Sequence, residues 1–451
     1  MPLHVGSLTE GVQVGTVPSW LTVATGGVLV GASFLFTSLL TDHEGIRAVN
    51  AWHAVVPTTA TLRGGVVAAT RALGVLGLVL VVAASALGPM EPTSNFAILV
   101  VWVGWWAGFA MSTYLVGNAW PILNPWRTLA AALPGDGARS LPERYGAWPS
   151  VVGLLALVYV EVVSPLASDP RLLGVVVVAY SAVTLGGAGR YGDEWFERVD
   201  PVSRVFRVYG RLAPIQSTAS GLDVRLPGTA LVAGATDDGD RERVRGHEAE
   251  TGAEAGAVAF VVALLWATTF DGLVTTPAWN DLAPVVVEAG VPAAVVYLAA
   301  LLGGFALFRA AYRLAAERSR ARVDSRLSPL AIERWFAPAL VPIAAGYHVA
   351  HFLGYALSLS PALTGVLAHP LGGAGVPQIA QLPAWFGTVE LGFVVVGHLL
   401  AVWVAHAVAL EVFPGLLRPI RSQYPFVVVM VAYTMTSAWV VGQPFVSPAY
   451  L

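Results

Sequence analysis

The chain has no lysine, and twenty-four of its twenty-five arginines fall in five stretches, at 47 to 71, 127 to 144, 190 to 245, 309 to 334 and 418 to 421. Pairs of apolar segments separate these stretches, and only Arg171 lies outside them. A membrane-spanning chain keeps its short cationic loops on the cytoplasmic side, and arginine counts near segment ends orient it better than net charge does. The partition therefore predicts an all-α polytopic membrane bundle with ten crossings, its N-terminus and C-terminus both outside.

Composition points the same way. A hydrophobic content of 56%, 12% charged residues and a mean hydropathy of +0.68 belong to a polytopic membrane protein and not to a soluble enzyme. The net charge of -3 decides nothing, because the signal lies in how the charges are distributed among the loops. Absence of cysteine excludes disulfides, thiolate ligands and a cysteine nucleophile. Zero lysine beside abundant alanine, glycine and valine is a prokaryotic, GC-rich bias.

Crossing the hydrocarbon core as a helix takes roughly 20 apolar residues. The expected crossings are Trp20 to Leu40, Val66 to Leu87, Phe96 to Leu115, Trp148 to Val163, Leu172 to Leu185, Val258 to Val274, Leu282 to Phe308, Ala337 to Leu359, Trp385 to Leu410 and Phe426 to Val441. Tryptophans at the span ends, among them Trp120, Trp126, Trp148, Trp279, Trp335 and Trp385, suit interfacial belts. The first 17 residues hold no basic region, so no cleavable signal peptide is expected.

One hydrophilic insertion divides the chain into a first membrane half, 1–188, a cytoplasmic insertion, 189–255, and a second membrane half, 256–451. Asp193 to Leu212 interleaves aromatic residues with Arg198, Arg204, Arg207 and Arg211, the pattern of an interfacial amphipathic helix interrupted at Pro201. Leu222 to Val232 alternates around Pro227-Gly228 and reads as a small hairpin. Thr236 to Glu254 is charged and reads as mobile.

Chemistry would reside in the ionisable residues inside spans, which are expensive in hydrocarbon and face a bundle interior or a watery cavity. His348 and His351 are three residues apart on crossing eight, while Glu390, His398 and His406 lie on crossing nine. Counting about 1.5 Å per residue puts His348, His351 and His398 near the midplane, with Glu390 about 12 Å outward of His398. Asp271 and Glu161 also sit toward the outer ends of their spans. Three imidazoles at one depth make His348, His351 and His398 candidate ligands for Zn, Cu or Fe, and a metal with an open position activates water. Asp271 and Glu390 are the candidate catalytic carboxylates. The same residues also fit a proton relay, a haem held between crossings eight and nine, or polar contacts that only bind helices together.

Several segments resemble a family of polytopic proteins of actinobacteria and archaea described as fenitrothion hydrolase-like. They are Gly117-Asn-Ala-Trp-Pro-Ile-Leu-Asn-Pro-Trp-Arg127, Gly192-Asp-Glu-Trp195 through Gly210-Arg-Leu-Ala-Pro214, Thr269-Phe-Asp-Gly272 with Thr276-Pro-Ala-Trp279, Pro342 to His351, and Met430-Val-Ala-Tyr433. The likeness runs from about residue 100 to 445. It implies hydrolysis of a hydrophobic ester or phosphotriester in the cell membrane, and it covers Asp271 and His351 but departs at His348, where a small residue is common. No phosphate-cradling Gly-Lys-Ser/Thr sequence, Gly-x-Ser-x-Gly turn or His-Glu-x-x-His pair is present. The expected partners are the lipid bilayer and a hydrophobic small molecule. Nucleic acid is not expected, because the arginines at 309 to 326 alternate with apolar residues as headgroup-facing positions do. A membrane-embedded, metal-assisted hydrolase, a proton-coupled transporter or permease, and a haem-binding or structural subunit all remain compatible with these residues.

Overall fold

In lipid no water satisfies backbone amides and carbonyls, so a spanning chain must bond them internally, and helices dominate. The computed structural model describes residues 19–132, 139–218, 221–236, 255–372, 376–383 and 385–450. Five of its helices start on a polar residue followed by proline, at Asn124-Pro125, Asp169-Pro170, Asp200-Pro201, Thr276-Pro277 and Ser328-Pro329. In each, the polar side chain accepts from an amide of the first turn. Proline fits the next position because its missing N–H would have had no helical partner there.

The helices that position the site are α1 (Ser19–Ser38), α2 (His43–Ala51), α3 (Ala60–Leu87), α4 (Phe96–Leu115), α5 (Pro125–Ala130), α6 (Trp148–Val163), α7 (Pro170–Tyr191), α8 (Pro201–Gly210), α9 (Ala257–Leu273), α10 (Pro277–Glu288), α11 (Ala293–Val323), α12 (Pro329–Phe336), α13 (Leu340–Ala368), α14 (Phe386–Val412) and α15 (Leu417–Val441). Among the described residues seven helices are long and apolar enough to cross a membrane, or eight if α9 and α10, bent by 87° at a short break, make one span. The apolar parts of α1, Gly26–Ser38, and of α6 are shorter. Two expected boundaries change. The fifth segment is a full 22-residue helix, α7. The expected span Leu282 to Phe308 is two helices, because Gly290 turns with φ 99° and Pro292 precedes a new helix start at Ala293.

Burial sorts the helices into shells. Along the apolar stretch of α3 only 11% of residues are buried, with Leu73, Leu76 and Val79 more than half exposed. An apolar surface of that kind faces lipid. The apolar stretch of α12 and α13 is 83% buried, and α9 is buried from Val258 to Gly272. These two elements form the centre of the bundle. α13 meets α14 where Gly346 and Gly397 oppose each other; a Cβ on Gly346 would lie 2.6 Å from the Phe393 carbonyl oxygen, and one on Gly397 2.5 Å from that of Pro342. Small residues permit such backbone contact, which is how helices gain packing energy without a hydrophobic drive.

The arginine-rich loops meet at one end. Strand β1 (His53–Pro57), between α1 and α3, pairs antiparallel with β3 (Gly221–Arg225), and β3 pairs with β2 (Ile215–Thr218) in the order β1-β3-β2. Ile215 also bridges to Gly117, and Arg47 on α2 binds Glu411 on α14 at 2.6 Å. The opposite end gathers the arginine-poor segments, where Val446 donates to the Thr275 carbonyl and Tyr297 to that of Ala449. The expected hairpin at Leu222 to Val232 is corrected: Leu222 lies in β3, whose partners are upstream, at β2 and β1. Pro227 and Gly228, with φ +83°, end the strand, and Thr229–Thr236 is helical.

The aromatic–arginine segment packs into the protein. Phe206 and Tyr209 of α8 are fully buried, and Arg198 and Arg204 are nearly so. Arg198 donates to the carbonyls of Leu141, Pro142 and Glu143, while Arg204 lies over the Phe260 ring, 5.3 Å from its centroid. All of Thr236 to Glu254 except Thr236 lies outside the described residues.

Asp200 holds this corner. It caps α8 through the amides of Val202 and Ser203 and accepts from the hydroxyls of Ser203 and Tyr180. Burial pushes its carboxyl pKa up, against the hydrogen bonds that pull it down. Asp200→Ala should cost about 3 kcal/mol, since it removes a cap and leaves buried donors without an acceptor. Melting temperature in detergent measures this, with Asp42→Ala, which uncaps the exposed start of α2, as comparison. Equal losses for the two variants would show that Asp200 is only a cap.

At the far side of the bundle the first long helix closes on the last. Gly26 of α1 faces Thr434 of α15, where a Cβ would stand 3.3 Å from the threonine methyl, and the Phe34 ring meets Tyr424 edge-on at 5.6 Å.

Candidate functional site

α9 stops at Leu273, two residues past Asp271. The hydroxyls of Thr275 and Thr276 bond the carbonyls of Gly272 and Leu273, and Thr276 caps α10 through the Trp279 amide. The break is thus a built feature, with its released carbonyls satisfied by side chains as a buried break requires.

Opposite the break stands α13. Its His351 Nε2 lies 2.9 Å from Asp271 Oδ2, and the two side chains are 22% and 12% exposed. Tyr347, one turn before His351, stacks on the imidazole with ring centroids 6.0 Å apart. Its hydroxyl occupies the space above Gly272, where a Cβ would come within 2.4 Å of it. Glycine at 272 is therefore what lets α9 and α13 approach and bring the tyrosine beside the carboxylate.

Glu390 of α14 is half-buried and packs on the same helix one turn further along, its Oε1 2.6 Å from where a Gly354 Cβ would be. It lies in the electrostatic field of His351. Tyr355, four residues after His351, is buried within the field of Glu161 on α6. Asp271, His351, Glu390, Tyr355 and Glu161 thus form a sequence of ionisable groups on four helices, grouped around the middle of α13.

The other histidines go elsewhere. His348 is fully buried, with Nδ1 3.0 Å from the Tyr114 hydroxyl of α4 and its ring among Trp106, Tyr209 and Phe352. His398 bonds the Val394 carbonyl of its own helix through Nδ1 at 2.7 Å. His406 sits between the Leu40 carbonyl and Gln423. Among the described residues no group of three or more His, Asp or Glu side chains is disposed to hold a metal ion. The expected ligand set His348, His351 and His398 is divided among three different neighbours, so it does not fit a Zn, Cu or Fe centre. A haem would need an open slot between α13 and α14, and the Gly346–Gly397 contact fills that space with backbone.

Asp271, His351 and Glu390 were legible in the sequence as separate residues, and the structure brings them into one neighbourhood. Tyr347, Tyr355 and Gly272 were not singled out. Their signal was positional: both tyrosines are four residues from His351, which places them on its helical face. No known protein family, curated protein or solved structure matches the chain.

Proposed function

We propose that this is a proton-coupled permease of the cell membrane, in which the Asp271–His351 pair exchanges a proton with the outer aqueous side and a hydrophobic small molecule is the cargo. The observation that carries the reading is the position of that pair at the broken end of a central helix. Transporters place coupling residues at discontinuous helices, where polar backbone and side chains line a path. An Asp–His pair suits proton handling because an imidazole takes up and releases protons at its ring nitrogens and a neighbouring carboxylate can orient the ring and share the proton. Glu390 on one side and Tyr355 with Glu161 on the other extend the path.

The proposed topology has ten crossings and both termini outside. Support comes from the sheet and the Arg47–Glu411 pair, which gather the loops around residues 47, 117, 215 and 411 at one end and require an even number of crossings between successive loops. The chain has no cysteine, so single cysteines report sides directly. Arg326→Cys and Ser360→Cys should react with a membrane-impermeant thiol reagent from opposite faces; labelling from the same face rejects this topology.

A second reading keeps the hydrolytic chemistry that the family resemblance implies. It draws on the same pair, with Asp271 orienting His351 as a general base toward water and a hydrophobic phosphotriester as substrate. Reconstituted vesicles separate the two. Internal acidification driven by a hydrophobic solute, without ester cleavage, is the expected result. Turnover of a chromogenic phosphotriester with no proton movement would replace the permease reading by the hydrolase.

A further inference from the structure

At the arginine-rich end, away from the Asp271–His351 pair, a cavity of about 390 Å³ opens between α3, α5 and the turn after α7, lined in part by Arg71, Arg127, Thr128, Gly192, Asp193 and Phe196. Its two arginines differ in how they are held. Arg127 stacks on the Phe196 ring, 5.0 Å from the centroid, and reaches Asp193 at 3.5 Å, a carboxylate that is itself 72% exposed. Arg71 has no ion-pair or hydrogen-bond partner among the described residues.

Depth makes the lone arginine unusual. Sixteen residues separate Arg71 from Leu87 at the other end of α3, about 24 Å at the helical rise. The hydrocarbon core is about 30 Å thick, so a core whose outer edge is set at Leu87 encloses Arg71 near its inner margin. A guanidinium at that depth finds an anion or reaches for the interface. Here it lines a cavity that already holds a second, ring-stacked arginine and a threonine hydroxyl, and that is large enough for a small polar ligand. With Asp193 offsetting one of the two cations, the cavity keeps a net positive charge.

We propose that this cavity binds a phosphate group, Arg71 and Arg127 donating to its oxygens from either side with Thr128 lining the wall. Guanidinium groups match phosphate geometry, and their charge-assisted bonds to it are among the stronger hydrogen bonds. The phosphate belongs either to an anionic phospholipid headgroup, reached laterally from the bilayer, or to a soluble phosphate ester.

Titrations of purified protein in neutral detergent test the assignment, with melting temperature as the readout and phosphatidylglycerol, phosphatidylcholine and glycerol phosphate as probes. Phosphatidylglycerol should protect saturably and phosphatidylcholine should not. Arg71→Gln and Arg127→Gln should each weaken the apparent affinity by about tenfold, corresponding to about 1.4 kcal/mol for one charge-assisted contact. Arg71→Lys, which keeps the charge, should retain most of the protection, and Arg326→Gln, in another arginine stretch, should match the parent. Equal protection by glycerol phosphate with the same Arg71 dependence assigns the soluble source; protection by the lipid alone assigns the bilayer. If every phosphate probe protects Arg71→Gln and Arg127→Gln as it protects the parent, or protects none of them, the site is rejected; Arg127→Gln decides alone should Arg71→Gln not purify.

Discussion

Replacing His351 with alanine, or Asp271 with asparagine, is expected to lower proton-coupled activity by about a hundredfold or more, the usual contribution of a positioned acid–base group. The two residues meet at 2.9 Å across α9 and α13, so each loses its function when the other is removed. Stability should respond differently from activity. Removing one member breaks a partly buried ion pair and leaves the other charge uncompensated by it, whereas removing both leaves no such imbalance, so the double variant should be no less stable than the less stable single variant. His398→Ala should retain most activity, because among the described residues that ring bonds only its own helix's carbonyl. His406→Ala should also retain it, since His406 is engaged with Leu40 and Gln423. Proton flux in vesicles with an internal pH dye measures all four. Equal losses for His351→Ala and His398→Ala would remove the special standing of the pair.

The second large effect is structural. Gly346→Ala or Gly397→Ala should destabilise the protein by about 1–3 kcal/mol, the typical cost of overpacking, and the double variant should fail to purify as a single species. Each new methyl group would strike a carbonyl oxygen at 2.6 or 2.5 Å, and neither is the movable end of a side chain. Gly303→Ala and Gly392→Ala, where a Cβ meets nothing within 4 Å, serve as comparisons and should be tolerated. Melting temperature and size-exclusion profile in detergent measure the difference. Forcing α13 from α14 would also shift Glu390 away from Gly354 and His351, so activity should fall in any Gly346 variant that does fold.

The apolar spans were legible because hydropathy and arginine placement report directly on the solvent around each segment. Depth was legible only in part: His351 is expected near the midplane and Asp271 toward the outer end of its span, yet the two meet. Azimuth was not. His348 and His351 are only three residues apart, which suggests one shared face, yet one meets Tyr114 on α4 and the other Asp271 on α9. The reason is the central place of α13. A helix surrounded on all sides has no apolar face to fix its rotation, and about 60° around its axis is enough to change the neighbour. The sheet was illegible for a related reason. The residues of β1 pair with a strand far along the chain, and periodicity within one segment says nothing about a distant partner.

The contact of α1 with α15 sets a timetable. Roughly 400 residues separate Gly26 from Thr434, and at about 5–20 residues per second the first helix leaves the ribosome about 20 to 80 s before its docking surface exists. Until then its glycine face has only lipid against it, and any nascent neighbour competes for it. The final helix therefore acts as a clasp, and biogenesis of this protein should be more sensitive to changes near its C-terminal end than the burial of α15 alone indicates.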